Sequence, residues 1–269
     1  MKLVGIASIL FLFIFSAKAG VFVEDFDNNF GVWKELLFND VNDARPGSWK
    51  IVAHELHAVS PDGWLRLLTV GDETWRDYTI EFDVKPLKKP GPGGAAIAAR
   101  INGDWVVWVT IGEWPFTGNL SRVVCAAGNF RDPSPLFFFG MKPHRPLELK
   151  EWSQLKLDVK ADTLNFWING KHVLGPVQLP NLQTFQRRDA VRRKHFEEHH
   201  ADGENREFRP MRLDGFQDFL TGGAGLGLSN RTARFDNVVI TGDNIPSSGG
   251  LSVKPKAKLA TVWGSLKRF

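Results

Sequence analysis

The run His195-Phe196-Glu197-Glu198-His199 has the spacing H-x-x-E-H. On a helix, residues four apart share a face, so the two imidazoles could grip one zinc ion beside a carboxylate. A peptidase built this way also needs a distal carboxylate ligand and a large helical domain, which this chain lacks. The competing reading is a solvated helix that binds metal incidentally or not at all. Gly222-Gly223-Ala224-Gly225-Leu226-Gly227 is glycine-rich, yet it has no Lys-Ser/Thr and no following helix, so it is not a phosphate loop. It reads as a tight strand. No Ser/His/Asp triad finds support. The single thiol, Cys125, excludes an internal disulfide and a Cys-based zinc site. It lies in an apolar run and reads as a small buried residue.

These groups sit in a chain of 269 residues, 43% hydrophobic and 24% charged, with 10 Trp, 21 Phe and 1 Tyr. Met1-Lys2, an apolar run from Leu3 to Phe15, and Ser16-Ala17-Lys18-Ala19 have the order of a signal peptide over residues 1–19, with the cut before Gly20. The run is short for a membrane span. No later stretch is long and apolar enough to cross a membrane, and export to the periplasm, cell surface or medium is expected. Without Lys2 and Lys18 the basic count falls from 34 to 32 against 30 acidic residues. That balance argues against nucleic acid as a partner.

The body from residue 20 to 245 alternates short apolar runs with turn residues. Ile80, Phe82 and Val84 fall on one face of a strand, and Pro90-Gly91-Pro92-Gly93-Gly94 ends it in a loop. Asn102-Gly103-Asp104 and Asn169-Gly170 are hairpin signals. About a dozen short strands with one buried face each predict an all-β, two-sheet antiparallel jelly-roll sandwich. A charged helical insertion is expected over about 182–219. From Arg187 to Arg209 it holds seven basic and six acidic residues, a solvated mixture rather than a basic patch. Residues 246–269 read as a flexible basic tail beginning near Ser247-Ser248-Gly249-Gly250 and ending in an apolar-aromatic patch. It is either frayed or the attachment point of an envelope partner.

Several segments in this order resemble a family. They are Phe22-x-Glu24-Asp25-Phe26, Trp49-x-Ile51, Trp75-Arg76-Asp77-Tyr78 running on to Asp83-Val84, Trp152-Ser153-Gln154-Leu155, Phe166-Trp167-Ile168-Asn169-Gly170-Lys171, Gly223-x-Gly225-Leu226 and Phe235-Asp236-Asn237-Val238. Together they look like the concanavalin A-like lectin/glucanase superfamily, in its laminin-G-like jelly-roll branch of exported bacterial proteins. The motifs specify turns and core positions more than activity. The glucanase branch carries E-x-D-x-(x)-E on one strand. Here Glu81-Phe82-Asp83 supplies two carboxylates, but Lys85 and Pro86 stand where the last Glu belongs. Retaining hydrolysis needs a pair of carboxyls on one face, and this strand fails at its acid/base. A keto-sugar hydrolase branch often shows Asn-Ser-Gly before a strand ending in Arg. Here Gly93-Gly94-Ala95-Ala96 precedes Arg100. The Arg is kept and the polar signature is lost.

The resemblance also implies a groove on one sheet, where sugars stack on aromatic side chains. Alternation puts Trp105, Val107, Val109 and Ile111 in the core and Val106, Trp108 and Thr110 on the groove side. Arg100 is expected to share a face with Ala96 and Ala98. Trp114 follows in a loop, and Arg122 lies on the next strand. Arg100, Trp108, Trp114 and Arg122 therefore form the expected ligand-binding cluster, with a polysaccharide or other glycan as partner. Related sandwiches tie first and last strands through Ca²⁺, so Glu24, Asp25, Asp27 and Asp236 are the expected structural calcium ligands. Three functions are compatible with this reading: a non-catalytic glycan-binding module, a carbohydrate-active enzyme using the same groove, and a structural or adhesive envelope protein.

Overall fold

Among the described residues, fifteen strands and one helix form from the alternating segments. The strands are β1 (Gly20–Glu24), β2 (Lys34–Leu37), β3 (Ser48–Val52), β4 (Glu55–Ser60), β5 (Arg66–Val70), β6 (Arg76–Lys88), β7 (Gly94–Asn102) and β8 (Trp105–Glu113). They continue as β9 (Ser121–Asn129), β10 (Leu136–Pro143), β11 (Ser153–Lys160), β12 (Thr163–Ile168), β13 (Lys171–Gln178), β14 (Gly223–Ser229) and β15 (Arg231–Asp243). Helix α1 (Leu182–His199) lies between β13 and β14. The structure is a computed structural model that describes residues 20–27, 31–38, 44–114, 118–132, 136–199 and 207–246. The expected signal segment 1–19 and the tail beyond Pro246 fall outside the described residues.

The strands make two antiparallel sheets. The eight-stranded sheet runs β13-β12-β11-β6-β15-β4-β3, with β1 also pairing with β15. The seven-stranded sheet runs β10-β9-β8-β7-β14-β5-β2. The expected hairpins are present: Asn169 and Gly170 both take positive φ, 51° and 73°, as a tight two-residue turn demands. Between the sheets lies the main core, with Ile80, Phe82 and Val84 of β6 facing Ile97, Val107, Val109 and Ile111. Cys125 is buried there, and burial pushes its thiol up, away from the reactive thiolate. A second apolar cluster covers the outer face of the seven-stranded sheet.

The charged insertion is a helix for its first 18 residues. Asn181 caps it, accepting the Thr184 N–H at 3.0 Å. Phe185 is its one buried residue. That ring packs edge to face on Trp105 (5.8 Å between centroids) and Phe216 (5.3 Å), and it anchors a largely solvated helix to the core.

The expectation for Arg100 is overturned by a bulge. Between Ala98 and Ile101 the strand β7 advances three residues while β14 advances two. Between Ala99 and Asn102 it again advances three against two on β8. Arg100, with φ 54°, absorbs the extra residue. Ala96 and Ala98 face outward, but Arg100 turns between the sheets and is fully buried. Its Nη1 donates to Leu220 O at 2.5 Å, and its Nη2 donates to Ala161 O at 3.0 Å and Asp77 Oδ1 at 3.2 Å. The Arg100 N–H donates to Tyr78 Oη at 2.8 Å, and that hydroxyl donates to Gly223 O at 2.6 Å. Gly222 backs onto the bulge, where a Cβ would lie 2.6 Å from the Arg100 carbonyl carbon.

Leaving a buried acceptor without its donor costs about 1–3 kcal/mol. Arg100→Met strands the Leu220 and Ala161 carbonyls and should therefore lower unfolding free energy by about that much in urea titrations. At Asp77, partial burial favours the neutral acid, but the Ala161 N–H and the Arg100 guanidinium outweigh it and hold the carboxyl below its usual range. A depressed carboxyl stabilises the fold fully above its unfolded value of ~3.9 and loses that contribution as pH falls through the lowered folded value. The stability gap between wild type and Asp77→Asn should accordingly shrink on acidification from pH 7 toward pH 3, and a constant gap would refute the pairing.

Candidate functional site

The outer face of the seven-stranded sheet is built around Trp108. In register, Ala98 of β7 stands on one side of it and Ala126 of β9 on the other. Two methyl side chains leave the indole room above the sheet. Phe130 meets it edge to face at 5.4 Å and Phe38 at 6.1 Å. Phe38 is set there by its N–H, which donates to Leu65 O at 2.9 Å. The ring of Trp64 stacks on Phe38 at 6.5 Å and 29°. Trp64 in turn is held by its N–H on Asp62 Oδ1 (3.1 Å) and by Ser60 Oγ, which donates to its carbonyl (3.2 Å).

These rings enclose a cavity of about 260 Å³, lined by Phe38, Gly63, Trp64, Leu65, Trp108, Thr110, Trp114, Val124, Ala126, Leu136 and Phe138. Thr110 is the one lining residue with a polar side chain apart from the indole N–H groups. None of the lining residues is acidic or a histidine. The cavity can hold the apolar face of a ligand, and it has no carboxylate pair to do acid–base work among its described walls.

Two of the four expected ligand residues come together here. Trp108 and Trp114 both line the cavity, although they are only 5% and 8% exposed. Trp108 is thus the floor of the site and not a free platform. Arg122 shares the outer face in register with Gly112, beyond Val124, and does not line the cavity. Its buried Nε has no hydrogen-bond partner among the described residues. Arg100 is inside the sandwich, as described. Sequence reasoning missed Phe38, Trp64 and Phe138. Alternation along β10 would have turned Phe138 outward from Phe137, but Phe38 and Trp64 precede or follow strands and have no periodic signal.

Glu81 and Asp83 lie on the outer face of the other sheet. Glu81 Oε2 is 4.0 Å from Lys156 Nζ, and Asp83 Oδ2 accepts from Asn237 Nδ2 at 2.7 Å. They are structural surface groups, remote from the aromatic cavity.

The expected calcium ligands are not brought together. Glu24 accepts the Phe26 N–H at 2.9 Å and the Trp33 Nε1–H at 3.2 Å. Asp25 accepts the Asp27 N–H at 3.1 Å, and Asp27 faces His54 Nδ1 at 2.9 Å. Asp236 is buried and accepts the Asn237 N–H at 2.8 Å. First and last strands do meet, with Glu24 opposite Val238, but through the backbone ladder. The rings of His195 and His199 lie 4.0 Å apart, tilted by 45°, on the exposed helix. Among the described residues, no three His, Cys, Asp or Glu side chains form a group that could hold a metal ion.

No family model matches the sequence, and no curated protein matches it. Solved structures similar to it include the carbohydrate-binding module CBM66 from Bacillus subtilis, at 14% identity and a TM-score of 0.49, covering 77% of this chain and 93% of that one. Bacillus licheniformis β-glucanase is similar at 13% identity and 0.46, covering 84% and 99%. The carbohydrate recognition domain of Emp46p, in metal-free form, is similar at 8% and 0.47, covering 82% and 95%. The likeness is one of sandwich architecture, which the strand pairings above themselves establish.

A buried Trp cut to Ala costs about 3–5 kcal/mol. Trp108→Ala should therefore destabilise the fold by roughly that amount in chemical denaturation, while half-buried Trp64→Ala should cost about 1 kcal/mol. With each of the four carboxylates engaged by protein donors, EDTA should leave the melting temperature unchanged. A drop of several degrees that calcium restores would show a structural metal there.

Proposed function

We propose that this chain is an exported, non-catalytic jelly-roll module that binds glycan in the aromatic cavity of its seven-stranded sheet. The observation that carries this reading is the stacked pair of Trp64 and Phe38 standing over Trp108. A pyranose has an apolar C–H face and polar edges. Its face fits against an indole while its hydroxyls remain in water or meet Thr110 and the nearby Arg122. The enzyme reading uses the same groove, and the lack of acidic residues among the described lining favours binding over hydrolysis. Export rests on the order of residues 1–19. An envelope partner on the tail 246–269 is a separate element of the proposal, addressed by pull-down with and without that segment.

Affinity electrophoresis through a panel of polysaccharide gels tests the binding site. Wild type should be retarded by at least one polymer. Trp64→Ala should lose at least about tenfold in affinity, or ~1.4 kcal/mol, with its fold intact. Undiminished retardation of a folded Trp64→Ala would refute the site. Reducing ends accumulating in the same polymer would refute the non-catalytic assignment.

A further inference from the structure

A second cavity, of about 430 Å³, opens at the end of the sandwich where β7 begins and β8 ends. This volume lies within the ~300–1,000 Å³ range of small-molecule pockets. Its outer wall is the strap of residues 145–149. At one end of the strap the His144 N–H donates to Ser121 O (3.3 Å) on the seven-stranded sheet. At the other end the Lys150 N–H donates to Pro86 O (2.6 Å) on the eight-stranded sheet. The strap therefore spans the gap between the sheets without filling it.

The inner end of the cavity is apolar. Ala95 pairs in register with Ile111 on one side and Leu228 on the other, and all three belong to the inter-sheet core. A methyl between two branched side chains leaves space at this point. The mouth is cationic, with Lys89, Arg145 and Arg231 among the lining residues and Glu148 as the lining carboxylate. Lys89 pairs with Glu113, and Arg231 lies 3.8 Å from the same carboxylate while donating to Gly91 O and Gly93 O. Three cations thus face two carboxylates, and the Arg145 guanidinium has no partner among the described residues.

We infer that this cavity binds a single-chain amphiphile with an anionic head. Its alkyl chain lies between the sheets against Ala95, Ile111 and Leu228, and its head meets Arg145 at the mouth. A sugar would leave hydroxyls unpaired against those three side chains, so the ligand class differs from that proposed for the aromatic cavity. The inference is independent of the glycan reading.

Calorimetric titration of the full-length chain, below micellar concentrations, tests it with dodecanoate, dodecyl phosphate and dodecyltrimethylammonium. Either anion should bind at least about tenfold more tightly than the cation. The tighter of the two anions identifies the head as carboxylate or phosphate. Ala95→Leu should weaken anion binding by narrowing the apolar inner end of the cavity. Arg145→Glu, an exposed substitution that leaves the core untouched, should weaken anion binding by about tenfold. Equal affinity for both head charges, no binding of either anion, or undiminished anion binding in folded Arg145→Glu would each overturn the proposal.

Discussion

The guanidinium of Arg100 sits where water cannot reach it, and three separate parts of the chain converge on it. Asp77 at the start of β6, the turn at Ala161 between β11 and β12, and Leu220 at the end of the insertion all supply acceptors. A buried cation is costly unless such acceptors meet it. The sheets, the hairpin and the insertion must therefore reach their places together. Tyr78 adds a further constraint, because one hydroxyl both accepts from the bulged strand and donates to β14. Desolvation raises its pKa far above the usual phenol value, so the hydroxyl stays protonated and remains a donor at any working pH.

The bulge also shapes the opposite face of the same strand. Before it, Ala96 and Ala98 give the outer surface small side chains beside Trp108. After it, the phase is reset, so that Ile101 packs against the outer apolar cluster. A charge that an uninterrupted strand would have presented to the groove is withdrawn into the sandwich. The outer face is left almost wholly aromatic and aliphatic, and its chemistry becomes that of stacking and exclusion of water. One inserted residue thus serves both the cohesion of the core and the character of the site.

Much of the fold was legible because alternation reports burial wherever a strand is regular. Trp105 to Ile111 divided between core and outer face as the pattern implied, and so did Tyr78 to Val84. The same logic misplaced Arg100, since counting by twos has no means of registering an extra residue whose φ is positive. Phe38 and Trp64 stayed hidden for a different reason. They sit in connections, where position is set by single backbone hydrogen bonds and not by periodicity. The calcium expectation at the N-terminal acidic cluster came from the resemblance, and a sequence does not tell a metal ligand from a turn or capping carboxylate. Glu24 and Asp25 spend their oxygens on nearby N–H groups.

The pairing of β1 with β15 has a topological consequence. Gly20 stands opposite Gly242, and a side chain on Gly20 would collide with the carbonyl of Ile245. The two ends of the sandwich are therefore sutured to each other along β15, within the eight-stranded sheet. Joining them with a short linker and reopening the chain at an exposed turn such as Asn169-Gly170 would preserve every strand pairing except that hairpin's connection. The domain is in effect a ring whose opening evolution has placed at one seam, and whatever the chain carries before residue 20 or after residue 246 is attached on the same side of the body.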